Sequence, residues 1–600
     1  MPAKTTSYTF LSFFMCGIFG VINDQTNEAA QTVLSGLKKL EYRGYDSWGI
    51  ALKATDSNDI KIDKHIGKIG SAATSLPRGS IAIGHTRWAT HGGVTDANAH
   101  PHLDCSHHIA VIHNGIVENY QELQSKLKTQ KHVFVSETDT EIIAHLIEEE
   151  SKTKPFFKAT LHTFKKLVGS NAIAVLNGKT GEVVVCRNGS PLVIGVAKNA
   201  IYIASDATAF LDKTNTAYFM EDDEVIDIKK NDDVSLYSIS TEKEKKLVVR
   251  KIDWKAEAAE KAGYAHFMLK EVNEQAKTIP NALTHKDKTI AQVAQRIKVG
   301  YKPILIGCGS ASYCGLAAQY LFAQAGVEAI NFGAYEFEPF SPLVSEKSLV
   351  FAISQSGETA DTILAVKQAK KNGAKIVAII NAQGSTLERL ADYCLPVGAG
   401  PEIAVVSTKA FTAQLGIFFA LTGELSKINP APFIHDFPLW LKNKKTSETI
   451  LNLAKQLLKT EHIYLIGKHI NYPSALEFAL KLKETSYMHA ESFASGELKH
   501  GVISLIQPGT PCIALTAHDA VQKEVISSAI ELKSRGAYII GVGPENNKAF
   551  DCFIETPDNG ASFSIFYNVA VGQLLGYYLG IGRGADPDKP RNLAKSVTVK

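Results

Sequence analysis

Residues 349–380 read LVFAISQSGETADTILAVKQAKKNGAKIVAII, and this stretch decides the class of the fold. The apolar runs at 349–353 and 376–380 are typical of buried strands. Between them, residues 360–371 have the composition and length of a helix, and Gly373 is a typical helix C-cap residue. A strand, a helix and a second strand in this order predict a parallel α/β unit.

The same order of elements recurs later in the chain. The run YLIG at 464–467 resembles ILIG at 304–307, which precedes the unit just described. In the second copy, strands predicted at 512–515 and 538–542 flank a helix predicted at 521–534. We therefore predict two doubly wound parallel α/β domains in tandem. Ligands of such domains bind beyond the carboxyl ends of the strands, next to helix N-termini.

The composition excludes several classes of protein. The chain has 600 residues with a net charge of +3, which excludes a polybasic nucleic-acid binder. With 45% hydrophobic and 21% charged residues it is an ordinary globular sequence. No apolar run reaches the roughly 20 residues that a membrane span needs. The eight cysteines form no disulfide scaffold and no cluster with metal-ligand spacing, so we expect reduced thiols and no metal.

The sequence from Cys16 to about residue 250 has a different pattern, with many short β-branched runs. Helices are predicted at 28–40 and 140–151, and strands with a few packed helices indicate stacked α+β layers. The charged stretch 241–263 is typical of a domain boundary. The predicted organisation is an N-terminal extension (1–15), an α+β domain (16–240), a linker (241–263), two α/β domains (264–440 and 441–590) and a C-terminal tail (591–600).

Cys16 is the first candidate for catalysis. If it begins the mature chain, its α-amine, with a pKa of about 7.7–8.0, can take the thiol proton. By itself, Cys16 is more typical of a buried strand cysteine than of a nucleophile. Asn114 and Gly115 supply an amide and a backbone N–H suited to an oxyanion hole, but an isolated Asn-Gly pair is more often a hairpin turn. These residues alone leave both alternatives open.

Five motifs occur in one order: CGIFG, YRGYDS, GHTRWATHG, HNGIVEN and SETDTE. Together they resemble the glutaminase half of the N-terminal-nucleophile amidotransferases, which have an αββα sandwich fold. The resemblance implies that Cys16 is the nucleophile and that Asn114 and Gly115 form the oxyanion hole. It implies that Arg87 binds the glutamine α-carboxylate and Asp139 its α-ammonium. The implied glutamine-binding residues are Arg43, Arg87, Trp88, Thr90, His91 and Asp139, with Trp88, Thr90 and His91 on a loop that closes over glutamine.

A second candidate site follows the strand at 349–353. The turn SQSGET at 354–359 offers hydroxyls and backbone N–H groups that suit a phosphate dianion. An isolated turn of this kind is more often a plain helix N-cap. A second polar turn, GCGS at 307–310, follows the neighbouring strand, and the two turns together predict a phosphate site. No P-loop pattern is found, so a nucleoside triphosphate is not implied.

Three further positions remain ambiguous on the residues alone. Lys481 and Glu484 share a helix face, which is usually just an exposed ion pair. Lys595, in an apolar C-terminal tail, suits imine formation but also simple solvation. His500 by itself is uninformative.

The motifs SQSGETADT, STKAF, ALKLKE, GELKHG and PRNLAKSVTV resemble the paired sugar-isomerase (SIS) domains of the glutamine–fructose-6-phosphate aminotransferase family. The resemblance implies that Lys595 forms an imine with the open-chain ketose and that Glu484 moves the proton between C1 and C2. It implies that His500 assists ring opening across a dimer interface and that Lys481 assists near O1 and O2. The implied sugar-phosphate contacts are Ser310, Ser354, Gln355, Ser356, Thr359, Val405, Ser407 and Ala594.

The resemblance also implies the overall reaction and its setting. The expected substrates are glutamine and fructose 6-phosphate, with ammonia passed internally and Trp88 as its gate. We expect a cytoplasmic homodimer with no metal or organic cofactor and no nucleic-acid or membrane partner.

The chain departs from the family pattern at three places. Residues 1–15 stand where the family has only an initiator Met. No small-x-small cleavage site follows the apolar stretch, which argues against a signal peptide. Met15 directly before Cys16 suggests instead that translation begins at Met15 and that the active enzyme lacks the extension. Trp48 replaces a small residue and is expected to change packing beside the glutamine pocket. Ala311 replaces a hydroxyl residue, so we expect one phosphate contact to be missing or taken by Ser312.

Three alternative functions are less consistent with the residues. An amidophosphoribosyltransferase would carry an acidic phosphoribosyl-diphosphate loop, and an asparagine synthetase a Ser-Gly-Gly loop; neither is found. A non-catalytic sugar-phosphate sensor would not need Glu484, His500 and Lys595.

Overall fold

The computed structural model describes residues 16–23, 25–55, 59–229, 233–252, 260–285 and 287–597. The predicted extension 1–15 lies outside the described residues. The chain divides into two compact units, one of residues 1–256 with 596–600 and one of residues 257–595.

The first unit contains two antiparallel sheets, with strand orders β15-β11-β9-β10-β1-β4-β2-β3 and β14-β13-β12-β8-β7-β6-β5. The strands are β1 (Gly17–Ile22), β2 (Ser47–Lys53), β3 (Ile60–Ile66), β4 (Ile81–Arg87), β5 (His102–Leu103), β6 (Ile109–Gly115), β7 (Asn171–Asn177), β8 (Val183–Asn188), β9 (Val193–Val196), β10 (Ile201–Ala204), β11 (Thr216–Phe219), β12 (Glu224–Ile228), β13 (Val234–Ser238), β14 (Glu244–Lys245) and β15 (Arg250–Lys251). The helices are α1 (Ala29–Leu40), α2 (Tyr120–Thr129), α3 (Glu141–Ser151) and α4 (Phe156–Phe164).

The two sheets face each other and are covered by helices on both outer sides. Ile18 of β1 and Ile112 of β6 belong to one apolar core between the sheets. Val33 of α1 packs against the other face of the first sheet, where a Cβ on Gly84 would lie 2.5 Å from Val33 Cγ1. Ile143 of α3 shares a separate core with β6 and β7 on the second sheet. This arrangement confirms the predicted αββα sandwich.

The predicted elements of this unit need small corrections. Helices α1 and α3 begin at Ala29 and Glu141, one residue later than predicted. The sequence pattern did not show α2 and α4. Helix α2 buries only Leu123 and Leu127, which is too narrow an apolar stripe to be noticed. The predicted linker 241–263 contributes two short strands, β14 and β15.

The second unit contains two parallel sheets with strand orders β17-β16-β18-β19-β20 and β22-β21-β23-β24-β25. The elements of its first half are α5 (Phe267–Leu283), α6 (Lys288–Lys298), β16 (Lys302–Gly307), α7 (Ser310–Gln324), β17 (Ile330–Gly333), β18 (Ser348–Ser354), α8 (Ala360–Lys371), β19 (Lys375–Ile380), α9 (Thr386–Leu390), β20 (Tyr393–Pro396) and α10 (Lys409–Gly423). Those of its second half are α11 (Ala431–Leu441), α12 (Lys444–Gln456), β21 (His462–Gly467), α13 (Asn471–Ser486), β22 (His489–Ala494), β23 (Pro511–Leu515), α14 (Gln522–Lys533), β24 (Tyr538–Gly543), β25 (Cys552–Glu555) and α15 (Ser564–Gly582).

The strand order is the same in both sheets, which confirms the predicted tandem repeat of doubly wound domains. Helix α8 has the predicted bounds, and Gly373 adopts φ +86° just after its C-cap. The chain order reverses between β16 and β18, so the turns after these two strands lie side by side at the carboxyl edge of the sheet. Ligands of doubly wound folds bind at this edge.

Helix α15 packs closely on α13 in the core of the second unit. A Cβ added at Gly576 would lie 2.7 Å from Thr485 Oγ1 and 3.2 Å from the backbone oxygen of Lys481. Glycine there lets the two helices approach closely and keeps α13 immersed in the apolar core. Among the described helices, none has both the length and the apolar character that crossing a bilayer requires.

Candidate active sites

The first candidate site lies around Cys16, which directly precedes β1. Pairing of β1 with β4 places Gly17 opposite Thr86, so Cys16 lies beside Trp88. The Trp88 N–H donates to Cys16 Sγ over 3.3 Å. The Asn114 Nδ2 group donates to the backbone oxygen of Cys16 over 2.9 Å. The fold thus brings the predicted nucleophile and the predicted oxyanion amide together.

The surroundings of Cys16 keep its thiol protonated. Burial raises the pKa of Cys16 to about 11, and Asp46 adds to the rise. The Trp88 N–H, Arg87 and Arg43 oppose it but do not overcome it. At neutral pH the thiol is therefore a poor nucleophile without a base, which is the part that a free α-amine would play.

The backbone geometry at position 115 requires a glycine. Gly115 adopts φ +141°, and a Cβ there would lie 2.1 Å from the backbone oxygen of Ser170. A side chain at this position would push apart the start of β7 and the strand end that carries Asn114.

Arg87 at the end of β4 holds the loop that follows it. Its guanidinium donates to the backbone oxygens of His91, Gly92 and Gly93, the last over 3.1 Å. Asp139 is buried and accepts from the Val117 N–H over 2.8 Å. Through these bonds Arg87 shapes the loop that is predicted to close over glutamine.

The remaining predicted glutamine-site residues are arranged around this loop. Trp88 packs edge-on against Tyr45, with ring centres 5.0 Å apart. His91 packs edge-on against Tyr120 at 5.4 Å, and Thr90 is half-buried. Arg43 Nε donates to the backbone oxygen of Cys16 over 3.4 Å.

The departure at Trp48 has a clear structural place. Trp48 is buried in β2 and stacks on His65 of β3, with ring centres 4.5 Å apart. The expected effect on the glutamine pocket stays a prediction.

The second candidate site begins at the carboxyl ends of β16 and β18. Ser354 Oγ lies 3.0 Å from Thr359 Oγ1 and accepts from the Gly357 N–H over 3.0 Å. The Glu358 N–H donates to Ser356 Oγ over 3.1 Å. The turn 354–359 is thus a tight cup of hydroxyl and N–H groups that leads into α8, as the sequence predicts.

Lys481 lies at the centre of a buried polar cluster next to this edge. Its Nζ atom is 2.7 Å from Glu484 Oε2 and 3.2 Å from Glu477 Oε1. It also donates to Ser310 Oγ and to the backbone oxygen of Ser407, each over 3.1 Å. The ion pair is therefore buried within the unit, and the expectation of an ordinary exposed pair is excluded.

The charges of this cluster shift each other's pKa values. Burial raises the pKa of Glu477 to about 7, and Glu484 adds to the rise. Burial alone would lower the pKa of Lys481, but Glu477 and Glu484 outweigh it and raise that pKa. Lys481 therefore carries a fixed positive charge deep in the unit, where it suits a developing oxyanion.

Lys595 of the C-terminal tail is tied down by an ion pair with Glu402. Glu402 is buried and also accepts from the N–H groups of Thr408 and Ala410, each over 2.9 Å. Burial would raise the pKa of Glu402, but Lys595 lowers it. The tail is anchored again where the Arg591 N–H donates to Tyr487 Oη over 2.9 Å.

The other predicted sugar-site residues are placed as follows. The Val405 N–H donates to the backbone oxygen of Asp588, and Ala594 is half-buried beside Lys595. Gln355 accepts through its backbone oxygen from the Asn381 N–H.

His500 lies on the surface, at the end of the 3₁₀ helix Ser495–His500. Among the described residues of this unit, it is the one predicted catalytic residue that is exposed. Ala311 lies in the first turn of α7, and Ser312 is buried.

Both halves of the chain match known protein families. The family described as "Glutamine amidotransferase domain" matches residues 85–212, and the "SIS domain" family matches residues 301–422 and 456–549. Over 612 residues the chain is 42% identical to the glutamine–fructose-6-phosphate aminotransferase (isomerizing) of Thermococcus kodakarensis, covering 98% of this chain and 100% of that one. The chain belongs to the glutamine–fructose-6-phosphate aminotransferase family.

Further relatives agree with membership of the aminotransferase family. The protein of the same name from Methanococcus maripaludis is 41% identical over 608 residues, with 98% of this chain and 100% of that protein covered. The solved C-terminal domain of glucosamine-fructose-6-phosphate aminotransferase from Francisella tularensis is 29% identical, with a TM-score of 0.50, and covers 55% of this chain and 99% of that domain. The predicted resemblance is confirmed.

Several residues that lie in the two candidate sites were not predicted from the sequence. Ser205 accepts from Asn114 Nδ2 over 2.8 Å, and His85 Nε2 lies 3.1 Å from Asn114 Oδ1, so these two side chains orient the amide. Glu477 was missed although it lies one helical turn before Lys481, which is the signal that could have found it. Glu402 had no signal, because its link to Lys595 spans most of the second unit.

Proposed function

We propose that this chain converts fructose 6-phosphate and glutamine to glucosamine 6-phosphate and glutamate, the first step in the supply of UDP-N-acetylglucosamine. The observation that supports this most is the match to aminotransferases of that name over almost the whole chain.

In the glutaminase step, Cys16 would attack the side-chain amide of glutamine after its own α-amine has taken the thiol proton. Ammonia leaves, and water then hydrolyses the thioester to return the thiol and release glutamate. Asn114 and Gly115 would stabilise the tetrahedral oxyanion. Arg87 would bind the α-carboxylate by exchanging some of its backbone partners in the loop 91–93, and Asp139 would bind the α-ammonium.

In the sugar step, the phosphate would bind in the cup 354–359, with Ser310 at the adjacent strand end. Lys595 would form an imine with the open-chain ketose, which requires it to leave Glu402. Glu484 would move the proton between C1 and C2, and the cationic Lys481 would steady the charge on O1 and O2.

Several further features belong to this proposal. His500, exposed in one chain, would assist ring opening in a neighbouring chain of a homodimer. Ammonia would pass internally, with Trp88 as the gate. The enzyme would act in the cytoplasm without an organic cofactor or metal in the reaction.

The test measures glutamate and glucosamine 6-phosphate with glutamine or ammonia as the nitrogen donor. We expect Cys16→Ala to lower glutamate release at least about a thousand-fold while ammonia-dependent synthesis persists. The matched control Cys552→Ser should keep both activities. A protein that binds fructose 6-phosphate but releases no glutamate and makes no amino sugar would be a sensor, and the proposal would be wrong.

The α-amine is tested separately by comparing chains that start at Met1 and at Met15. Removal of Met15 leaves Cys16 with a free amine, and only this chain should use glutamine. Mass spectrometry of each purified N-terminus identifies which form was assayed. Full glutamine-dependent activity from a chain with residues 1–15 intact would overturn the role of the amine.

A further inference from the structure

A second cluster of reactive side chains lies in the first unit, apart from Cys16. It consists of Cys105 in the turn after β5, His132 after α2, and His145 and Glu148 on α3. The Sγ atom, the two Nδ1 atoms and a carboxylate oxygen of these residues all lie within 4.8 Å of one another. Spacing along the chain does not reveal this cluster, because the fold joins three separate segments.

Five of the six distances between the ligand atoms are close to those of a tetrahedral ligand set. Cys105 Sγ is 3.5 Å from His132 Nδ1 and 3.5 Å from His145 Nδ1. The two Nδ1 atoms are 3.2 Å apart, and Glu148 Oε2 is 3.1 Å from one and 3.6 Å from the other. Zinc bonds of about 2.0–2.3 Å in a tetrahedron place ligand atoms about 3.3–3.7 Å apart.

The outer nitrogen of each histidine faces a carboxylate. His132 Nε2 lies 2.7 Å from Glu149 Oε1, and His145 Nε2 lies 3.5 Å from Glu141 Oε1. A carboxylate beside Nε2, hydrogen-bonded to His132 and acting by its charge on His145, favours the proton on that nitrogen and leaves the lone pair of Nδ1 directed to the centre of the cluster. Both histidines are buried, so these orientations are fixed by packing.

The charge of the ligand set balances a divalent cation. A Cys105 thiolate and the Glu148 carboxylate supply two negative charges, and the two imidazoles bind as neutral ligands. Thiolate and imidazole together favour zinc over the hard cations magnesium and calcium. We propose that Cys105, His132, His145 and Glu148 bind one zinc ion.

Four protein ligands leave no open position, so this is a structural site. Between His132 and His145 runs the segment that carries Glu137 and Asp139. Glu137 Oε2 accepts from the Gly93 N–H over 3.2 Å, so the segment contacts the loop that Arg87 holds. The zinc would fix both ends of this segment, and this part of the inference rests on the proposed glutamine site.

The experiment uses the full chain without a polyhistidine tag, expressed with zinc and freed of excess metal by gel filtration. Elemental analysis should find one zinc per chain, and less than about a tenth of that in His132→Gln. His162→Gln, at a half-buried histidine of the neighbouring helix α4 that lies outside the cluster, should keep the full amount. The proposal would be wrong if the parent protein contained well below one zinc per chain, or if the parent protein and His132→Gln contained equal amounts of zinc.

Cobalt replacement reports the ligands directly. The cobalt protein should show the intense visible bands of a tetrahedral site and a thiolate charge-transfer band in the near ultraviolet. Cys105→Ser, a change at an exposed position that folding should tolerate, should lose the charge-transfer band, whereas Cys552→Ser should keep it. A weak octahedral spectrum, or a charge-transfer band that survives in Cys105→Ser, would contradict the proposal.

Chelation then tests the structural role. Removing zinc should lower the thermal midpoint of the parent protein but not that of Cys105→Ser/His132→Gln. If the proposed function also holds, zinc removal should raise the KM for glutamine several-fold and leave ammonia-dependent synthesis unchanged. An unchanged KM with stoichiometric zinc would refute the link to the glutamine site and leave the metal site intact.

Discussion

The Nζ atom of Lys481 lies 3.1 Å from the Oγ atom of Ser310, and this bond joins the middle of α13 to the first turn of α7. The two helices follow the first strands of the two repeated domains. The repeats therefore meet at a buried positive charge that also contacts Glu477 and Glu484. One copy supplies the predicted phosphate turns, and the other supplies the predicted acid–base side chains.

Replacing Lys481 by methionine should destabilise the second unit by about 3–5 kcal/mol, because it leaves Glu477 buried without its cationic partner. Lys483→Met on the exposed face of the same helix should change stability by no more than about 0.5 kcal/mol. Urea unfolding of both variants checks this. Equal effects would mean that the buried pair contributes little.

Gly357→Ala should disrupt the phosphate cup. Gly357 adopts φ +65°, and its Cβ would lie 2.0 Å from Ser385 Oγ. Gly398 has the same φ, but nothing lies within 4 Å of its added Cβ, so Gly398→Ala carries only the backbone strain of about 1 kcal/mol. We expect fructose 6-phosphate to bind at least about ten-fold more weakly to Gly357→Ala alone, measured by calorimetry. Similar losses in both variants would contradict the steric explanation.

Arg87→Lys should impair the use of glutamine. A lysine ammonium cannot reproduce the planar guanidinium that reaches the oxygens of His91, Gly92 and Gly93. The KM for glutamine should rise about ten- to a hundred-fold, with ammonia-dependent synthesis unchanged. Arg78→Lys, at an exposed position, is the control. An unchanged KM for glutamine in Arg87→Lys would show that Arg87 does not contribute to glutamine binding.

Acid should destabilise the first unit through its buried histidines. Burial lowers the pKa of His85 to about 3, whereas an unfolded histidine titrates near 6.5. Between these values the unfolded chain binds a proton that the folded chain does not. The free energy of unfolding therefore falls as the pH falls, by about 1.4 kcal/mol per pH unit from His85 alone. Burial also lowers the pKa values of His100, His102 and His113, so the total slope should be steeper.

In His85→Gln, the slope of the unfolding free energy against pH should be smaller by about 1.4 kcal/mol per pH unit, the contribution of one proton. The glutamine amide can still donate to Asn114 but does not titrate. Hydrogen exchange of β4 and β6 at a series of pH values, corrected for the intrinsic rate, measures the local stability. A His85→Gln slope equal to that of the parent would show that His85 is not the group responsible.

The local elements could largely be predicted from sequence. The stretch 349–380 alone identified the parallel unit and both ends of α8, since apolar periodicity and a C-cap glycine are properties of adjacent residues. Helix α2 escaped notice because it buries only two side chains, and its place depends on the sheet beneath it.

The class of each domain, the tandem repeat and most of the candidate catalytic residues could be predicted from the sequence, because they depend on short-range pattern and on motifs that resemble a family. The folded chain was needed to find that Glu477 lies against Lys481 and Ser310, that Glu402 pairs with Lys595, and that Cys105, His132 and His145 converge. Such contacts depend on strand register and on helix packing between segments that are distant in the sequence. The number of residues between two positions does not reveal whether they meet in the folded protein.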